Sequence, residues 1–185
     1  DKRTQVIDQL IASPEWADGW VGYWQDVLAE NPSVVFPTLN NSGAFRQWIY
    51  DSFRDNTPFD CFATELILMK GPRTNRPEYD GPAAFALATG NDVPMAMRAH
   101  VVMKAFAAVD LKCARCHDSP DGDFRQADLF LLAAYLKGDS LNVPATSVAA
   151  IGKANDPGAI TTTLEPGQLI APTDLTAHWL GDAAT

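Results

Sequence analysis

The chain has 185 residues, 46% of them hydrophobic and 20% charged, and its formal net charge at pH 7 is −9. This composition is typical of a globular protein with one buried core plus a tail, and no apolar run approaches the roughly 18 residues that a membrane span needs. The acidic balance argues against nucleic-acid binding, because phosphate contacts need clustered lysine and arginine. The chain opens at Asp1 with no visible signal peptide, so we expect a processed chain or a piece of a longer one.

Helical periodicity dominates the first half of the chain. Four helices are predicted there, over 2–12, about 15–29, about 43–54 and about 58–69. Ser13 and Pro14 are typical of an N-cap and a first helical residue, so they predict where the second helix begins. That helix carries a stripe of aromatic side chains at helical spacing, namely Trp16, Trp20, Tyr23 and Trp24. We favour core packing for the stripe, with one wall of a cofactor pocket as the alternative.

Two further helices flank a cysteine-rich segment in the second half. They are predicted over about 94–111 and over Asp123 to Lys137, where apolar residues again recur at helical spacing. Beyond Gly138 the periodicity fades and Pro, Thr, Gly and Ala dominate, with Thr161 to Thr163 as a short strand candidate.

These elements predict the fold class and the domain organisation. We expect a mostly α protein, a helical domain of about six helices with an irregular C-terminal tail. The helical domain is predicted over 1–140, and 141–185 is predicted to be an extended tail or a linker to a further domain.

The segment Cys113-Ala114-Arg115-Cys116-His117 carries the most specific chemical signal in the sequence. Each thiol can add across one vinyl group of haem, and the two intervening residues let one helical turn span both vinyl groups. The adjacent histidine can then direct its imidazole at the iron from the same side. We therefore predict one covalent haem c, with Cys113 and Cys116 as thioether anchors and His117 as the proximal iron ligand.

Two other uses of this motif remain open. A structural zinc site needs four ligands, and Cys61, His100 and His178 are the residues available to complete one. A thioredoxin-like thiol pair would follow a strand in a βαβ unit, whereas a helix precedes this motif. For Cys61 itself the apolar helical pattern favours a buried, unreactive thiol, with iron ligation or a mixed disulfide as the alternative.

The sixth iron ligand is less well specified. His100 is the candidate distal ligand, because it lies on the helix that leads into the motif. An uninterrupted helix would put it about 20 Å from Cys113, so the haem would lie back along the helix or the chain would turn before the motif. The alternatives are an open site or one of the other residues with a suitable donor atom, namely Met103, Met97, Met95, Met69 and His178.

Several segments together resemble the planctomycete-type cytochrome c domain family. They include Val6 to Glu15, Trp20 to Asp26, Phe45 to Ile49, Asp55 to Phe62, the cysteine motif and Gln126 to Phe130, and the resemblance covers about residues 3–137. It implies a haem-binding domain of secreted or surface proteins. Many members have histidine where this chain has Tyr23 and again where it has Ser119, a difference that favours His100 as the source of the sixth ligand.

Electron transfer is the function that this sequence predicts. Haem c is attached outside the bacterial cytoplasm, so we expect a periplasmic, cell-surface or extracellular protein. Its partners would be a redox protein or a neighbouring haem domain, with self-assembly as a further route, and no nucleic acid. No catalytic residue set is evident. The alternatives are a haem enzyme or ligand sensor with an open iron site, and a structural domain stapled by haem.

Overall fold

A computed structural model describes residues 1–28, 43–69, 81–85, 94–120, 124–144 and 164–172. Helices dominate this part of the chain, and the six α-helices found there confirm the predicted mostly α fold. The chain forms two compact units, unit 1 over Asp1–Thr89 and unit 2 over Gly90–Thr185. Among the described residues no helix has the length and hydrophobicity to cross a membrane. The predicted boundary after residue 140 stays a prediction.

Unit 1 contains the first four helices, and their bounds are close to those expected. They are α1 (Lys2–Ile11), α2 (Pro14–Val27), α3 (Ala44–Arg54) and α4 (Phe59–Leu68), followed by a 3-10 helix over Gly81–Ala84. The Ser13 hydroxyl accepts a hydrogen bond from the backbone N–H of Trp16 at 3.3 Å, which confirms it as the N-cap of α2. No residue of α1 is buried.

An aromatic cluster fills the core of unit 1. Phe62 of α4 stacks on Trp48 of α3 with ring centroids 4.7 Å apart, and Trp24 of α2 meets the same phenyl ring edge-on at 5.0 Å. The Trp48 indole donates a hydrogen bond to the buried Glu65 carboxylate at 2.8 Å. Core packing therefore holds for Trp24, whereas Trp20 and Tyr23 of the same stripe are exposed.

The expectation of a buried Cys61 is wrong. Its side chain is exposed and its thiol is free. The physical reason is its place in the first turn of α4, where Phe59 and Asp60 are exposed as well and the first buried residue is Phe62.

Unit 2 contains α5 (Pro94–Ala107), a 3-10 turn over Cys113–Arg115 and α6 (Gln126–Lys137). The helix predicted to reach residue 111 ends at Ala107, and Ala108 takes a left-handed backbone conformation with φ 55°. Gly138 ends α6 in the same conformation, which suits a residue without a side chain. The core between these elements consists of alanines and larger apolar residues, namely Ala96, Ala99, Leu111, Ala114, Leu129, Phe130 and Ala133.

Part of the predicted tail belongs to this core. Two short strands, β1 (Leu141–Asn142) and β2 (Leu169–Ile170), pair in antiparallel register. Val143 and Leu164 are buried in the same cluster as the α6 side chains, and the Leu164 N–H donates to the Gln126 side-chain carbonyl at 3.3 Å. Residues 141–144 and 164–172 thus pack on α6, while the strand candidate at Thr161 to Thr163 lies outside the described residues.

Replacing Gly81 by alanine is expected to destabilise the protein by about 1–3 kcal/mol. A Cβ at this position would overlap the Trp48 side chain and lie 2.6 Å from the Ala44 carbonyl oxygen. Gly19→Ala is the control, because a Cβ there meets nothing within 4 Å and alanine favours the helix by up to about 1 kcal/mol. Urea unfolding of both variants is the measurement, and equal midpoints would contradict the close packing at Gly81.

Replacing Leu164 by alanine is expected to lower the free energy of unfolding by about 2–4 kcal/mol, because this side chain is 4% exposed and contributes to the core of unit 2. Leu169→Ala should change it by no more than about 0.5 kcal/mol, since Leu169 is 63% exposed. Denaturant unfolding monitored by circular dichroism distinguishes the two. A neutral Leu164→Ala would mean that the tail does not contribute to the core.

Candidate functional site

The cysteine motif folds as one tight turn. The Cys113 carbonyl oxygen accepts hydrogen bonds from the N–H groups of Cys116 and His117, both at 3.1 Å. Residues three apart in a 3-10 turn share one face, so this backbone brings the two cysteines to the same side. Cys113 is exposed, Cys116 is half-buried, and both thiols are free. The turn therefore carries two thiols that are not joined in a disulfide.

The His117 ring is oriented by the backbone of its neighbour. Its Nδ1 lies 2.7 Å from the carbonyl oxygen of Asp118. A carbonyl can only accept a hydrogen bond, so Nδ1 carries the proton and the neutral ring keeps its lone pair at Nε2. Histidines that bind metal through Nε2 commonly have this second contact, which fixes the tautomer and makes the donor nitrogen more basic.

Asp118 also joins the motif to α6. Its carboxylate accepts a hydrogen bond at 2.8 Å from the backbone N–H of Gln126, the first residue of that helix. This contact satisfies one of the N–H groups that a helix N-terminus leaves without an intrahelical partner. On the other side of the turn, the Ala114 side chain is buried in the unit 2 core. The motif is thus fixed to the core at Ala114 and to α6 at Asp118.

The candidate distal ligand His100 is buried on α5, and its ring lies beside the segment that enters the motif. Its Nδ1 accepts a hydrogen bond at 3.2 Å from the Leu111 N–H and lies 3.6 Å from an Asp110 carboxylate oxygen. The sequence allowed either a haem lying back along α5 or a turn of the chain before the motif. The chain does turn there, and the Val109 N–H donates a hydrogen bond back to the Met103 carbonyl oxygen.

This contact determines the tautomer of His100. A ring nitrogen that accepts an N–H bears no proton, so the neutral His100 ring carries its proton on Nε2. Iron ligation through Nε2 would require that position to be unprotonated. The observed arrangement suits an anchor for the Leu111 backbone, and ligation by His100 stays a prediction.

Three of the other sixth-ligand candidates lie on α5 with His100. Met97 is buried on α5, and the half-buried Met95 and Met103 pack against the unit 2 core. Met69 caps the C-terminus of α4 in unit 1, and His178 lies outside the described residues. Over the described ranges, no three or more His, Cys, Asp or Glu side chains form a group that could hold a metal ion.

Arg98 is a charged residue of unit 2 that the sequence-based site does not include. It is 7% exposed on α5, and its Nε has no hydrogen-bond partner. Burial lowers the pKa of its guanidinium below the ordinary value, because water solvates the charge poorly there. The sequence feature that could have pointed to Arg98 is its position within the apolar stretch Met97 to Val102. A charge in such a stretch needs either an exposed position or a partner.

Fold and site together define a mostly helical protein with a Cys-X-X-Cys-His turn between two helices. A family model, PSCyt2, described as a protein of unknown function (DUF1549), matches residues 1–140, and the chain belongs to this family. The name of this family refers to planctomycete-type cytochrome c, the family that the sequence segments resemble. Its description assigns no function. Searches of curated proteins and of solved structures found no match to the chain.

Two His100 variants separate an anchoring role from iron ligation. His100→Ala should cost about 1–3 kcal/mol of unfolding free energy, because the Leu111 N–H loses its acceptor. His100→Asn should retain most of that stability, since the amide oxygen occupies the position of Nδ1. Thermal unfolding measures the stability of the two variants. An equal loss of stability in His100→Ala and His100→Asn would contradict the role of His100 as an anchor for the Leu111 backbone. Disappearance of a low-spin haem spectrum in both variants would instead establish His100 as a ligand.

Proposed function

We propose that this protein carries one c-type haem, attached through Cys113 and Cys116 with His117 as the proximal iron ligand, and that it transfers electrons outside the cytoplasm. The observation that carries the proposal is the motif turn, in which two free thiols share a face and the adjacent imidazole keeps its Nε2 lone pair. This donor set fits a covalent haem.

The attachment chemistry balances within the motif and the haem. Each cysteine S–H adds across one vinyl C=C, so a C–S bond forms at one carbon and the hydrogen goes to the other. Both sulfur atoms are available for this addition because neither thiol is in a disulfide. The Cys113 side chain is exposed to solvent, whereas the Cys116 side chain is half-buried.

The residues around His117 would keep the iron ligand fixed during electron transfer. Bound haem supplies an iron that cycles between the ferric and ferrous states. The Asp118 carbonyl holds the His117 ring, while the Asp118 carboxylate holds the start of α6. Because the ligand is tied to a helix and to a packed core, its position should change little between the two oxidation states.

The setting and partners of this electron carrier are part of the proposal. A c-type haem implies periplasmic, cell-surface or extracellular export. The net charge of −9 favours a basic redox partner protein over another acidic surface. A neighbouring haem domain or self-assembly of this chain would serve the same role if ions or basic segments screen the repulsion.

The geometry of His100 favours a haem enzyme or ligand sensor with an open iron site as the second candidate. The His100 Nδ1 already accepts the Leu111 N–H, which leaves the proton on Nε2 in the neutral ring. If no methionine takes the sixth position, the iron keeps a site for a small ligand. The spin state of the ferrous protein distinguishes the two candidates.

The absorbance spectrum of the full chain, exported from cells that attach haem c, tests the proposal. Haem absorbance should stay with the polypeptide after denaturation in acidified solvent, because thioether bonds survive unfolding. The double variant Cys113→Ala/Cys116→Ala should lose it completely. Cys61→Ala is the matched control and should retain it, since Cys61 lies in unit 1 outside the motif.

Extraction of all colour from the denatured protein would overturn covalent attachment. In the native protein, a six-coordinate low-spin ferrous spectrum supports electron transfer. A five-coordinate high-spin spectrum with carbon monoxide binding would replace electron transfer by the open-site function.

A further inference from the structure

Arg98 is a buried cation without a partner among the described residues. Its side chain is 7% exposed, its Nε has no acceptor, and it forms no hydrogen bond or ion pair with any described residue. Arginine does not escape this situation by losing its proton, because the guanidinium stays charged at any ordinary pH. An anion placed here would accept the unpaired Nε–H and also neutralise the charge.

The acidic side chains in the described part of unit 2 do not supply that anion. Asp118 and Asp128 accept from backbone N–H groups at the start of α6. Asp110 accepts from the Lys112 N–H, and Asp139 lies beside Lys137. Glu165 is exposed. The counter-charge is therefore missing from this part of the chain.

We propose that Arg98 binds the carboxylate or phosphate group of a ligand, and that a propionate of the attached haem is its first source. This assignment of the propionate rests on the proposed function. A guanidinium offers parallel N–H donors that match the two oxygens of a carboxylate, so one such group would neutralise and satisfy it together. Free inorganic phosphate is the second source of the same chemistry.

Arg98 and His100 lie on different sides of α5, because successive helix residues are about 100° apart. The His100 ring contacts the Leu111 N–H in the segment that enters the cysteine turn, so the Arg98 guanidinium is not engaged in that contact. Haem carries its propionates at the edge opposite the vinyl groups, so a residue that binds a propionate would be distinct from the cysteine anchors.

The test compares Arg98→Met with Arg125→Met in the haem-loaded full chain. Both changes remove one positive charge from unit 2, but Arg125 is exposed and lies at the N-cap of α6. Loss of a cation next to a propionate should shift the reduction potential to more negative values in Arg98→Met alone. The same proteins are then unfolded thermally in sodium phosphate and in sodium chloride of equal ionic strength.

The outcomes distinguish the two sources. A negative shift of potential confined to Arg98→Met, with no added stabilisation by phosphate, assigns the anion to a propionate. A phosphate-dependent rise of the unfolding midpoint that Arg98→Met abolishes, at unchanged potential, assigns it to a free oxyanion. Identical potentials and identical phosphate responses in the two variants overturn the proposal, even if Arg98→Met is the more stable protein.

Failure of haem attachment is recognised separately. In that case the denatured protein has no covalent colour, and the phosphate comparison on the haem-free chain alone decides whether Arg98 binds an oxyanion. If Arg98→Met does not fold, Arg98→Lys keeps a charge without the paired donors, and a weaker phosphate response than in the unaltered protein is expected. An undiminished response in Arg98→Lys would contradict recognition by the guanidinium.

Discussion

Two contacts of Asp118 are the constraint on which the site depends. Its backbone carbonyl accepts from the His117 ring, and its carboxylate accepts from the first N–H of α6. One residue therefore determines which imidazole nitrogen is free and connects that imidazole to the rigid part of unit 2. This link to α6 adds to the hydrogen bonds within the short turn that carries the two thiols and to the packing of Ala114 in the core.

The core of unit 2 holds α6, the helix to which Asp118 connects the motif, in place. Small side chains such as Ala96, Ala99 and Ala133 let α5 and α6 approach closely, and Leu129 and Phe130 fill the remaining space. The segment at Val143 and Leu164 closes the same core, and its contact with Gln126 reaches the residue that Asp118 caps. The C-terminal segments are thus connected through one glutamine to the loop that follows the motif.

Unit 1 has a different kind of core, in which ring contacts replace small-residue packing. Trp48 is central to it, because it stacks on Phe62, donates to the buried Glu65 and limits the space at Gly81. The sequence indicated aromatic packing from helical spacing alone, but it could not separate Trp24, which is buried, from Tyr23, which is exposed. Adjacent positions on a helix differ in burial according to which neighbouring helices cover them.

The sequence by itself determined the helical class, most helix positions and the Cys113–His117 motif, because periodicity, capping and donor spacing are local properties. Only the tertiary structure decided that the chain turns after Ala107, that His100 contacts Leu111 and that Arg98 is buried without a described partner. These features depend on contacts between α5 and residues beyond its end, and on the burial of its faces. Spacing along one helix indicates which residues share a face, but it does not show which other residues cover that face.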